Sequence, residues 1–170
     1  MTLTLALVQV LNGLQFGLLL FLLAAGLTLV FGIMDLVNLA HGSLYMMGAY
    51  FAATFVAWTG NFLLGAALAL GATLLLGIAL EMSALRHLYG RDHLDHVLPT
   101  FGLILFFNDA VRLIWGPAGL ALPQPSWLTV PVQIGPGVYY PAYRPSIIVV
   151  ALAVAALLYL VVIRTRIGML

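Results

Sequence analysis

Apolar residues run along this chain in long blocks separated by a few short polar knots, and the blocks set the first expectations. One block covers about Gln9 to Met34. Its stretch from Phe16 to Met34 has no charge and would span about 28 Å as a helix. Further blocks run over Val37–Trp58, Phe62–Leu80, Val97–Trp115 and Ser146–Ile163. Each is long enough to be read as a membrane-crossing helix rather than as the amphipathic helix of a water-soluble domain. The pattern predicts an all-α polytopic transmembrane protein of about five spans. The open point is residues 35–43, read as a re-entrant or broken hairpin.

The interruptions are as informative as the blocks. The first is a knot of Asp35, Asn38, His41 and Ser43, where two apolar arms meet. No charged residue precedes Asp35, and none follows it until Glu81. The second is the strongly polar segment Arg86–His96, expected to be a loop, with Pro99 in the first turn of the span after it. Asp109 and Arg112 lie three apart in that span and can neutralise one another. Residues 116–144 are rich in proline and carry Trp127, Tyr139, Tyr140 and Tyr143. Alternating residues Val130–Ile134 before Gly135-Pro136-Gly137 predict a small hairpin within this stretch.

Small residues repeat at helical spacing. Gly13 and Gly17 form a GxxxG near the start of the first span. Gly65, Ala69, Thr73 and Gly77 give the third span a continuous small face, expected to receive another helix.

Composition supports the membrane reading. Of 170 residues 64% are hydrophobic and only 6% are charged, against roughly 25% charged in a soluble domain. Too few charges exist to build a water-facing shell. No basic patch points to nucleic acid. The chain has no cysteine, which excludes disulfides, thiolate metal sites and cysteine nucleophiles. The N-terminal apolar run lacks the positive start of a signal peptide and is expected to stay as a membrane segment. Arg86 and Arg91, with Arg164 and Arg166 near the C-terminus, fall on one side of a five-span chain, against Arg144 and Arg112 on the other, a bias of four to two. Positive-inside then puts the Arg86–His96 segment in the cytoplasm and residues 116–144 outside, as an extracytoplasmic loop of a single membrane domain over 1–170.

Candidate chemistry is sparse. His87, His93 and His96 lie close in sequence, but Asp92, Asp95 and two arginines share their loop, and ordinary loop polarity accounts for them without a metal. There is no HExxH, no GxSxG elbow and no phosphate-binding GxxxxGK[ST]; the chain has no lysine at all. ATP hydrolysis, if it drives anything here, belongs to another subunit. The knot has two readings. Asn38, His41 and Ser43 either satisfy backbone groups at helix ends that lipid cannot reach, or they line a solute path at a broken helix.

The run GLTLVFGIMDLVNLAHGSLYMMGAY, residues 26–50, resembles the signature of the LIV-type permeases of branched-chain amino acid ABC importers. Gly26, Phe31, Gly32, Asn38, Ala40, His41, Gly42, Tyr45, Met46, Gly48, Ala49 and Tyr50 carry the match. Gly90-Arg91-Asp92, the run Val111–Pro117 and Arg164-Thr165-Arg166-x-Gly168 extend it over the chain. The Ala-His-Gly form is similar to the first of the two paired permeases.

The resemblance implies an inner-membrane permease subunit with three kinds of partner: a homologous second permease, two ATPase subunits and a periplasmic solute-binding protein. It implies no cofactor. Members of the family are longer than this chain, so the sequence is expected to be the N-terminal portion of a permease. The segment that couples to the ATPase would begin near Arg164, Arg166 and Gly168. The rival expectations are a truncated permease with only a structural or assembly role, and a secondary transporter or channel.

Overall fold

The computed structural model describes residues 3–135 and 138–164. Five long helices account for most of them: α1 (Leu3–Met34), α2 (His41–Thr59), α3 (Phe62–Ser83), α4 (His93–Trp115) and α6 (Tyr143–Arg164). A one-turn α5 (Ser126–Thr129) and two strands, β1 (Pro131–Gly135) and β2 (Val138–Pro141), complete the set. Four of the long helices, α1, α3, α4 and α6, are long and apolar enough to cross a membrane by length and composition. The fifth, α2, has 19 residues, among them Gly42, Ser43, Gly48 and Thr54, which dilute its apolar character. Apart from Asn108, Asp109 and Arg112 on α4, the exposed surfaces of the long helices are mostly apolar. Leu70 is 74% and Leu113 86% exposed, a surface suited to lipid rather than water.

The chain divides into two compact units, Met1–Gly26 with Gln124–Leu170, and Leu27–Pro123. In the second unit α2 and α3 form an antiparallel hairpin. Gly60 ends α2 in the left-handed conformation (φ 63°) and returns its N–H to Val56 O at 3.0 Å. Asn61 then caps α3, its side-chain oxygen accepting from Leu63 N at 3.0 Å and Leu64 N at 3.2 Å. The arms close tightly. A Cβ on Gly65 would lie 2.6 Å from Val56 N, Cα and Cγ2, and one on Gly48 would lie 3.3 Å from Thr73 Oγ1.

The loop after α3 is a 3-10 turn, Leu85–His87, followed by Gly90 at φ 78°. Leu85 and Leu88 turn inward and join Leu36, Leu80, Phe107 and Val111 in one buried cluster. The polar segment is therefore shorter than the sequence predicts. α4 starts at His93 rather than near Val97, and Pro99 lies inside the helix, past its first turn. Near its far end α4 is tied to α2: Trp115 Nε1–H donates to Thr54 Oγ1 at 2.8 Å, and Tyr50 and Trp115 rings pack 5.1 Å apart. The expected Asp109–Arg112 pairing is absent: the one salt-bridge contact among the described residues joins His93 and Asp35, and it is an ion pair only when His93 is protonated.

In the other unit the expected hairpin is present. β1 pairs antiparallel with β2, Val132 opposite Tyr140 and Gln133 opposite Tyr139. Its tip, residues 136–137, lies outside the described residues. Ala142 N–H donates to Val130 O at 3.1 Å, and α6 follows at once, its first turn closed by Ser146 Oγ on Tyr143 O at 2.7 Å.

Candidate functional site

The knot of the sequence is a true break in the helical backbone. Residues 35–40 are non-helical between α1 and α2. Asp35 takes a positive φ of 49°, a conformation that Asp tolerates better than most residues, and its N–H still reaches Phe31 O at 2.9 Å. Irregular backbone surrounded by lipid must find partners within the protein. Here Asn38 supplies two. Its Oδ1 accepts from Ala40 N at 3.0 Å, and its carbonyl accepts from His41 N at 3.3 Å. Ala40 O then receives Ser43 N at 3.0 Å and opens α2. The segment is deeply packed, with Leu36 at 0% exposure and Asn38 at 3%.

The three residues expected to border a solute path are therefore differently placed. Asn38 is buried and committed to the local turn. Ser43 is buried on the first turn of α2. His41 is half-buried at the start of α2, and its imidazole makes no hydrogen bond among the described residues. The Ser43 hydroxyl makes none either, but it is buried, which leaves His41 the more accessible of the two.

A residue read from sequence as loop polarity completes the break. His96, 2% exposed, accepts from Val37 N at Nδ1 (3.4 Å), and its Nε2 lies 3.1 Å from Leu88 O. One turn on, Thr100, fully buried, donates to His96 O at 2.6 Å. His93 sits beside His96, ring centroids 5.7 Å apart, with Nε2 3.2 Å from Asp35 Oδ1. That contact is exposed and adds little to stability. Together these contacts put the break at the same end of the unit as the loop between α3 and α4. In that loop Tyr89 donates to Glu81 Oε1 at 2.5 Å. Burial, then the bond to Glu81 and its charge, push the phenol up to about 12. Among the described residues no three His, Asp or Glu side chains gather where a metal could sit.

At the opposite end of α2 and α4 an open, mostly apolar groove of about 450 Å³ is lined by Ala53, Thr54, Ala57, Trp58, Ile114 and Trp115, with Leu120 and Ala121. The small-residue stripe of α3 meets α2 over part of its length. Gly65 and Ala69 are buried and Thr73 faces Gly48, whereas a Cβ on Gly77 would meet nothing within 4 Å. Gly13 and Gly17 of α1 are likewise open. Arg164 is the last residue of α6; Arg166 and Gly168 lie outside the described residues.

The unit built on residues 1–26 and 124–170 has a polar cluster that the sequence did not reveal. Asn12 Oδ1 accepts from Tyr140 OH at 2.7 Å and from Arg144 Nη1. The Arg144 guanidinium also lies over the rings of Tyr140 and Tyr143, 5.6 and 5.7 Å from their centroids.

Comparison with known proteins adds the following. The family described as branched-chain amino acid transport system, permease component, matches residues 9–170. BraD of Pseudomonas aeruginosa, a high-affinity branched-chain amino acid transport system permease protein, is 32% identical over 126 residues, with 68% of this chain and 40% of the relative covered. LivH of Escherichia coli strain K12 is 33% identical over 126 residues, with 68% and 41% covered. LivH of Salmonella typhimurium is 32% identical over 125 residues, again with 68% and 41% covered. The matched stretch thus spans about two fifths of the length of each relative. No solved structure matches.

Proposed function

The chain belongs to the family of permease components of branched-chain amino acid transport systems, and from that premise we propose that it forms part of the solute path of an ATP-driven importer. It is a multi-pass protein of the inner membrane. In this reading the solute is a branched-chain amino acid or a related small polar compound, delivered by a periplasmic binding protein. It passes between this chain and a homologous second permease. Two ATPase subunits, coupled through the region beginning at Arg164, Arg166 and Gly168, swap the open side. No covalent step falls to this chain.

The observation that supports the reading most is the break at 35–40, which brings a half-buried, unengaged His41 next to Asn38 and Ser43. With the Arg86–Arg91 loop in the cytoplasm, this break borders the inner mouth of the path, because Asp35 and Val37 bond to the start of α4. A second reading has its own support. Asn38 Oδ1 and its carbonyl both hold the turn, as a purely structural knot requires.

The test is uptake of labelled solute by the complete transporter, scored per assembled complex by co-purified second permease. His41→Ala is expected to lower uptake by about tenfold, equivalent to about 1.4 kcal/mol, with assembly unchanged. Asn38→Ala is expected to lower assembly as well. Normal uptake per complex in His41→Ala would leave the knot a structural role only. Sidedness is checked separately. In this cysteine-free chain, Arg91→Cys is expected to resist an impermeant thiol reagent applied outside, and Ala121→Cys to react with it. The reverse pattern would overturn the orientation.

A further inference from the structure

We infer that His96 is the positioning residue of the break: it holds residues 35–40 in the shape that carries Asn38 and His41. Where the other backbone donors there have an acceptor, it is local. Asp35 N–H goes back to Phe31, and Ala40 and His41 N–H go to Asn38. Val37 N–H differs, because its acceptor is His96 Nδ1, 59 residues further along the chain. An imidazole nitrogen that accepts from an N–H carries no proton itself. The proton therefore sits on Nε2, facing Leu88 O at 3.1 Å, a tautomer assigned from its partners. Both ring nitrogens are thus used, one on the break and one on the loop between α3 and α4.

The ring has little freedom to leave this arrangement. It is 2% exposed, its own carbonyl is bonded by Thr100 Oγ1, and the His93 ring lies edge-on against it. An apolar side chain at this position would strand Val37 N–H, in surroundings where lipid offers no substitute, and would leave Leu88 C=O with only its bond from Arg91 N–H. A glutamine retains an acceptor oxygen and two donors. The link to transport rests on the reading of the break as part of the solute path; the link to backbone conformation does not.

The experiment uses the full chain in its transporter with a single cysteine at one of two buried positions. Leu36→Cys reports on the break, and Ala53→Cys, in the core of the same unit, on the rest of it. With His96 in place, both reporter thiols are expected to be protected from maleimide. H96L is expected to raise labelling at position 36 by about tenfold or more, as a local opening of the break would, while position 53 stays protected. H96Q is expected to restore protection at position 36. Continued protection of position 36 in H96L would overturn the proposal. If H96L exposes both reporters, the wild-type imidazole nitrogen NMR spectrum decides. A His96 proton on Nδ1 overturns the proposal; a proton on Nε2, with both reporters protected in H96Q, upholds it. Uptake per complex is measured on the same variants and is expected to fall in H96L and recover in H96Q. Exposure of position 36 with uptake unchanged would sink the solute-path reading while leaving His96 as the holder of the break.

Discussion

Gly65→Ala is expected to destabilise the protein by about 1–3 kcal/mol or more, although it adds one methyl group to a helix that would otherwise welcome it. The added Cβ would lie 2.6 Å from Val56 N and Cα. These are backbone atoms of α2, so no rotamer change relieves the clash, and the two helices must part. Helix propensity works the other way, favouring alanine over glycine by roughly 1 kcal/mol. The clash is the larger effect, and it sets the sign. Gly77→Ala is the matched control. Nothing lies within 4 Å of its Cβ position, so the propensity gain stands alone and stability is expected to be unchanged or slightly higher. Thermal unfolding of both variants in mild detergent checks the pair. Equal behaviour would mean that the stripe on α3 is not read by α2.

The second large effect is expected at Asn12→Leu. One side-chain oxygen holds both the Tyr140 hydroxyl and the Arg144 guanidinium, and Tyr140 is 3% exposed. Removing it takes one acceptor from a charged donor, which keeps its bond to Tyr143 OH, and strands a buried neutral one. A hydrogen bond to a charged group contributes about 1.5–3 kcal/mol, so a loss of that order is expected, against about 1 kcal/mol for Tyr140→Phe. The two changes share a partner, and the double variant is expected to lose less than the sum. The readout is the unfolding midpoint in detergent of each variant and of the double. Asn12→Leu within about 0.5 kcal/mol of wild type would show that the cluster carries no weight.

Much of the fold was legible because apolar runs without charge have few alternatives. The ends of the runs were harder. His93 to His96 read as loop because polarity was taken as exposure, yet His96, Thr100, Phe107 and Val111 are all buried and recur at steps of four, seven and four. That periodicity places the histidine on the packed stripe of α4, and it was available in the sequence. The four residues Gly65, Ala69, Thr73 and Gly77 looked equivalent by spacing. What separates them is where α2 runs alongside, and spacing within one helix holds no information about a neighbour. The Asn12 cluster lay further out of reach. Its members are 128 and 132 residues apart in the chain, and each alone resembles an interfacial polar residue. The candidate path residues lie next to one another at the break, but the use of Asn38 Oδ1 within the turn, beside an unpartnered His41 ring, needed the backbone of the turn.

The turn between α2 and α3 has a consequence for the order in which this unit takes shape. Thr59, Gly60 and Asn61 close it with their own atoms: Asn61 N–H reaches Thr59 Oγ1, and Asn61 Oδ1 reaches no further than Leu64 N. Each contact that sets the register of the hairpin, from Val56 with Gly65 to Gly48 with Thr73, spans no more of the chain than the hairpin itself. Such short loops close early, while His96 and Val37 must wait for a partner 59 residues away. During synthesis the hairpin is therefore the first finished piece of its unit. The break at 35–40 is among the last, receiving its shape only once α4 has emerged to supply a histidine.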